Sequence, residues 1–287
     1  TQTPMGARML GSWVKTPLQD IDKINYRLDG VEEFFKNPLL RSGVTEQLKF
    51  IRDTERIAGK ISNGNINPKD CLTLGDSLSA LPNVKLQLFG VSSRILNDIN
   101  DNIGDFGELA SLLRNAIDPS ASSITKDGGY IKKGFDSELD RLRSIKENSS
   151  TLLKEMEAKE REATGIKNLK INFNRVFGYY IEVTNSFKNL VPYNYIRKQT
   201  LAGAERYITE DLKKLETDIL SSNEQSIRIE ADIFAKIKQV LAENVRKIQR
   251  TSKSIACLDA LASLANVAKR NGYTRPEIVK SDEPMDI

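Results

Sequence analysis

Seven cations fall within residues 165–208: Lys167, Lys170, Arg175, Lys188, Arg197, Lys198 and Arg206. Only Glu182 and Glu205 oppose them, so this stretch carries +5, while the whole chain carries +4 and the remaining 243 residues sum to −1. Guanidinium and ammonium groups gathered in one short segment suit a polyanion, whose oxygens they meet by charge and by N–H donation. Eight aromatic residues are interleaved with them: Phe173, Phe177, Tyr179, Tyr180, Phe187, Tyr193, Tyr195 and Tyr207. Rings beside cations fit nucleic acid, but a module this short needs most of its rings for its own core.

The chemistry that is missing narrows the field. There is no histidine, which removes Ser-His-Asp and Cys-His catalysis, HExxH zinc chemistry and the usual general base near neutral pH. No GxxxxGK[ST] loop is present to cradle nucleotide phosphates. The carboxylates fall mostly on helical surfaces, where solvation and i to i+4 pairing explain them. Cys71 and Cys257 stand alone, without a CxxC or a ligand-like neighbour, which fits buried thiols in a reducing compartment and no zinc or disulfide. No apolar run approaches the ~20 residues that cross a bilayer and no signal-peptide pattern opens the chain, so the expected location is the cytoplasm. No cofactor is expected on these residues.

The basic segment alone reads as sheet. Leu169 to Phe173 alternates apolar and polar residues, and Tyr179, Ile181 and Val183 share one face of a second strand. Residues 174–178 between them form a hairpin loop. Two more short strands, 195–201 and 205–209, are joined by the small Ala202, Gly203, Ala204 turn.

The rest reads as helix. Asp20 is an N-cap, and Asn37 with Pro38 and Asn67 with Pro68 are helix starts, because proline at the first helical position lacks only an amide that had no partner. Leu48, Ile51, Ile57 and Ile61, then Leu72, Leu74, Leu78 and Leu81, form core stripes. Residues 119–134, with three glycines, read as a loop or short hairpin. From Phe135 the spacing becomes near-heptad through Leu139, Leu142, Ile145, Ser149, Leu152, Met156 and Ala163. After the sheet, Thr209 caps a helix with a matching seam through Leu212, Leu215, Ile219, Ser222, Ser226, Ile229, Ile233, Ile237 and Val240. A last helix runs through Ile255, Leu258, Leu261, Leu264 and Val267 and is stopped by Gly272 and Pro276.

The fold class predicted is mainly α: a helical core with two long antiparallel lever helices that carry a small antiparallel β-sheet clamp at their tip. The division predicted is 1–164 core and first lever helix, 165–208 clamp, 209–270 returning helix and core, and 271–287 an exit linker. The closing SDEPMDI shows no packing pattern.

Several motifs resemble one family. TQTPMGARMLGSW opens the chain, followed by NINPKDCLTLGDSL, DGGYIKKGFDSELDRLR, NFNRVFGYYIEV and YIRKQTLAGAERYI. In this order and across nearly the whole chain they are similar to the middle of the bacterial MutS DNA mismatch repair proteins. The resemblance implies a core, lever and clamp fragment that closes over double-stranded DNA and touches its backbone without reading sequence. Carried over residue by residue, Asn174 and Arg175 at the hairpin tip and the turn at Gly203 approach DNA, with Lys170, Lys198 and Arg206 in support. Many relatives carry asparagine where this chain has Gly203, which leaves a backbone contact only. The resemblance also implies homodimers, a MutL partner, and ATP with magnesium in an ATPase domain beyond Ile287. The family's mismatch-reading domain would precede Thr1. Phe106, Gly107 and Glu108 spell Phe-x-Glu, but in a helical core segment they read as ordinary packing. The competing reading is a helical protein-interaction module with a basic tip; an enzyme acting alone has little support.

Overall fold

The computed structural model describes residues 1–278; the SDEPMDI tail lies outside the described residues. The chain is mainly helical, with one four-stranded antiparallel sheet. It divides into two compact units, one of Thr1–Thr125, Tyr130–Lys132 and Ile233–Ile287, the other of Lys126–Gly129 and Lys133–Asp232.

The first unit is built from α1 (Pro4–Lys15), α2 (Ile21–Lys36), α3 (Pro38–Leu48), α4 (Thr54–Ser62), α5 (Pro68–Gln87), α6 (Arg94–Asn102), α7 (Gly107–Ala116) and the later part of α9 (Glu210–Asn271). Their starts follow the capping chemistry of the sequence. The side chains of Thr3, Asp20, Asn37, Asp53 and Asn67 each accept a backbone N–H of the first turn, and proline occupies the first position of α1, α3 and α5. The helices α5 and α7 pack together, as do α3 with α5 and α2 with α6. Phe34, Val44, Leu48, Leu74, Leu96, Leu113, Leu258 and Leu261 are fully buried. Phe106 is buried too, with Lys247 Nζ 4.8 Å from its ring centroid. Burial pushes the Cys71 thiol up to about 12 and the Cys257 thiol up to about 11, so neither is a nucleophile near neutral pH. Residues 119–134 form a loop closed by a single bridge between Ile117 and Ile131.

The second unit holds α8 (Ser137–Thr164), the sheet, and α9 as far as Asp232. Asp136 caps α8, and Thr209 Oγ1 accepts Leu212 N at 3.2 Å to start α9. Within this unit the two helices run antiparallel. Arg143 on α8 pairs with the buried Glu230 on α9 at 2.6 Å, while Leu153 and Met156 from later in α8 and Leu212 from the start of α9 pack on one cluster beneath the sheet.

Two expectations are corrected. The returning helix and the last helix are one continuous helix of 62 residues, because no glycine or proline occurs between Glu210 and Asn271. The buried line of its middle part passes through Ser226, Glu230, Phe234 and Ile237, with Ile229 and Ile233 only half-buried. Glu230 takes the inward position because Gly129 N, at 2.9 Å, and Arg143 both donate to its Oε1. Among the described residues no helix is long and apolar enough to cross a membrane.

A single carboxylate ties the two ends of the first unit's chain together. Asp259 on α9 is buried and accepts Gln2 N at 2.8 Å, Thr3 N at 2.7 Å and Thr3 Oγ1 at 2.7 Å, while Thr3 Oγ1 in turn accepts Gly6 N. Asp259→Ala leaves these donors buried without a partner and is expected to lower unfolding stability by roughly 2–3 kcal/mol. The urea midpoint of the variant checks this; an unchanged midpoint would show that the carboxylate contributes nothing net.

Candidate nucleic-acid interface

The basic segment folds into β1 (Lys170–Asn174), β2 (Gly178–Thr184), a 3-10 helix (Asn185–Leu190), β3 (Ile196–Thr200) and β4 (Ala204–Ile208), in the order β1-β2-β4-β3. Alternation assigns the two faces. Ile181, Val183 and Tyr207 point inward and form a closed cluster with Ile166, Leu169, Tyr195 and Leu212, flanked by the half-buried Ile171, Tyr179, Phe187 and Val191. Tyr195 and Tyr207 meet edge to face at 5.9 Å, and Tyr195 Oη donates to Glu160 on α8 at 2.5 Å. Burial and that carboxylate push the Tyr195 phenol above its ordinary range. Tyr180 is buried on the opposite face, whereas Phe173, Phe177 and Tyr193 are exposed. The rings are thus chiefly core, as so short a sheet requires.

The charges sort into two groups. Glu205, buried on β4, accepts Lys188 Nζ at 2.6 Å, faces Arg197 Nη1 at 3.4 Å and accepts the hydroxyl of Tyr207. The Lys188 hydrogen bond, and then that of Tyr207, hold its carboxyl below the usual range. Burial and Glu205 together push the Tyr207 phenol up to about 12. Glu182 on β2 accepts Arg206 Nε at 3.1 Å. The two carboxylates of the segment therefore occupy three of its seven cations. Lys167, Lys170, Arg175 and Lys198 are exposed and have no ion-pair partner among the described residues.

The six residues expected at the interface are not gathered in one place. Asn174 and Arg175 form the β1–β2 tip, where Asn174 Oδ1 accepts Val176 N at 2.8 Å and Val176 is 81% exposed. Gly178 closes this turn at φ +76°, and a Cβ there would lie 1.9 Å from Glu216 Oε1, so the position requires glycine. Gly203 lies in the β3–β4 turn, with its carbonyl accepting Asn185 N at 3.1 Å. Because Thr184 at the end of β2 pairs with Ala204 at the start of β4, this turn is at the opposite end of the sheet from the Arg175 tip. The six steps of β2 separate them by about 20 Å. A Cβ at Gly203 would meet nothing within 4 Å. Lys198 sits on the edge strand β3, at a register shift between Arg197 and Gln199. Lys170 projects from the other edge strand, directly opposite Glu182. Arg206 is held within the sheet by Glu182, Gln199 and Tyr180. Lys167, outside the expected set, joins the exposed cations.

The comparisons agree with the motifs. Residues 1–265 match the family described as MutS domain III. The DNA mismatch repair protein MutS of Lachnoclostridium phytofermentans is 47% identical over 278 residues, 97% of this chain and 30% of that protein. That of Caldicellulosiruptor bescii is 46% identical over 282 residues, 98% of this chain and 33% of that protein. That of Methanosarcina barkeri is 45% identical over 282 residues, 97% of this chain and 31% of that protein. The chain spans about a third of the length of the curated relatives it matches.

The buried Glu205 makes a pH prediction. Its pKa is lowered on folding, so the stability it contributes is present above the unfolded value of about 4.3 and is lost as pH falls through the lowered folded value. Wild type is expected to melt above Glu205→Gln near pH 7, and the gap is expected to narrow steadily below about pH 4.5. Paired thermal melts read this directly; a gap that stays constant to pH 3 would remove the ion pair as its cause.

Proposed function

The chain belongs to the MutS family of DNA mismatch repair proteins, and from that premise we propose that its sheet is a clamp holding duplex DNA through backbone contacts. The observation that carries this reading is the set of four exposed cations without carboxylate partners among the described residues, on a module whose rings are chiefly committed to its core. Lysine and arginine at strand edges and turns meet phosphates by charge and donate no base-specific pattern. The clamp would therefore supply affinity and leave mismatch discrimination to other parts of the protein.

The position of the turns constrains the pose. With Arg175 at one end and Gly203 at the other, a duplex that meets both lies along the strand direction. A span of about 20 Å covers roughly six phosphates of one strand at 3.4 Å of axis each. Asn174 shapes its own tip with Oδ1 and leaves its amide N–H groups to donate to an oxyanion. Gly203 offers a backbone amide. Lys170 and Lys198 flank the path from the two edge strands.

The wider role is part of the same proposal. The helices α8 and α9 act as levers that link the clamp to an ATPase elsewhere in the full-length family protein, where ATP and magnesium bind. Homodimers and MutL are the partners proposed for that whole protein, in the cytoplasm.

Duplex binding measured against salt tests the clamp. Affinity is expected to fall steeply with salt, and the combined Lys170→Ala, Arg175→Ala, Lys198→Ala variant is expected to flatten the log–log slope by roughly 0.9 for each phosphate it no longer neutralises. Salt-insensitive binding, or displacement by an acidic protein in place of DNA, would favour the interaction-module reading. In the same assay Gly203→Asn is expected to fold normally, since its Cβ meets nothing, and to bind duplex more tightly through a new side-chain donor. Unchanged binding would place this turn away from DNA.

A further inference from the structure

Four side chains stand in one row across the sheet. Lys170 on β1 is directly opposite Glu182 on β2, Glu182 is opposite Arg206 on β4, and Arg206 is opposite Gln199 on β3. Neighbouring strands lie about 4.8 Å apart, so the backbone positions of the two cations are roughly 10 Å apart with that of the carboxylate between them. Glu182 accepts from one of them, at 3.1 Å from Arg206 Nε.

Arg206 has two positioning contacts besides that pair. Its Nη1 donates to Gln199 Oε1 at 2.9 Å, and its guanidinium carbon lies 4.3 Å from the ring centroid of Tyr180. Both contacts are neutral on the partner's side. Neither contact draws on the charge of Glu182, so both are expected to remain when that charge is removed. Of the five N–H donors of the guanidinium, two are engaged by Glu182 and Gln199. The side chain keeps 19% exposure, and the described residues offer the guanidinium no hydrogen-bond partner beyond these two. The group is ordered and accessible, and its charge is cancelled.

We infer that Glu182 is a built-in competitor for phosphate at Arg206 and sets how tightly this face of the sheet holds a polyanion. The inference rests on the clamp reading. An arriving phosphate finds Arg206 preorganised but must share it with a carboxylate of like charge. The interaction is therefore weaker than a bare arginine would give, which suits a clamp that moves along a duplex instead of locking to one site. Lys170, across from the same carboxylate, belongs to the same balance. Removing the negative charge leaves the held guanidinium of Arg206 and the exposed ammonium of Lys170 on one face, two strands apart, for neighbouring phosphates of one backbone to meet.

The test is a double-mutant cycle on the full chain, with salt-dependent binding measured for an arbitrary-sequence duplex and for heparin, a polyanion without bases. Glu182→Gln keeps size and a carbonyl acceptor for Arg206. It is expected to tighten duplex binding roughly fivefold and to steepen the slope by about 0.9, one further phosphate. Most of both gains is expected to be lost in the Arg206→Gln background, where Lys170 alone remains opposite the carboxylate. A gain that persists undiminished there means that Glu182 acts only as general negative charge, and the inference is overturned. It is equally overturned if folded Glu182→Gln matches wild type on both probes. A coupled gain on heparin with no duplex binding by any variant keeps the competition and rejects the DNA reading. Thermal melting of every variant runs alongside; should Glu182→Gln not fold, Glu182→Thr, a good strand residue, carries the same comparison.

Discussion

A four-stranded sheet of five- to seven-residue strands has one face to bury and no second layer of its own, so everything about this module depends on what covers that face. The cover comes from the ends of the two helices that deliver and remove the chain. Leu153 and Met156 of α8 and Leu212 of α9 close the cluster around Ile181, Val183 and Tyr207. Helix carboxylates also satisfy donors of the module: Glu157 accepts the backbone Ile171 N at 2.8 Å, Glu216 accepts the backbone Tyr179 N at 3.2 Å, and Glu160 accepts the side-chain hydroxyl of Tyr195. These acids lie on helices, so they complete the sheet's inner side and edge without lowering the charge of its outer side.

That division explains how a segment with seven cations folds at all. Like charges on neighbouring strands repel, and the two strand carboxylates sit where they relieve most of it. Glu205 is buried among Lys188, Arg197 and Tyr207, and Glu182 stands between Lys170 and Arg206 on the central strand. Four cations are left at the hairpin tip, at the edges and just before β1, where solvent screens them. The distribution that keeps the sheet folded is thus the one that leaves cations where a phosphate backbone can reach them.

Much of this was legible from local chemistry. The Asn-Pro helix starts, the Asp20 and Thr209 caps and the alternation of Tyr179, Ile181 and Val183 each express a preference of a few neighbouring residues, and the structure keeps them. The unbroken α9 was missed although its signal was present: a stretch without glycine or proline gives a helix no reason to end, and the change in width of its apolar face marks a change of surroundings and not of secondary structure. Glu230 was not legible. A glutamate reads as surface until its donors, Arg143 and Gly129, are known, and they lie 87 and 101 residues away.

Arg206 shows the same limit at the candidate site. Its type and segment mark it as a phosphate ligand, and nothing within three residues on either side except Glu205 argues otherwise. Glu205, however, turns to the other face, as alternation requires. The carboxylate that engages Arg206 comes from β2, 24 residues earlier, through a register that depends on how two hairpins pair with each other. Residue type therefore tells which side chains are able to bind a polyanion, whereas cross-strand register decides how much of each charge is free to do so.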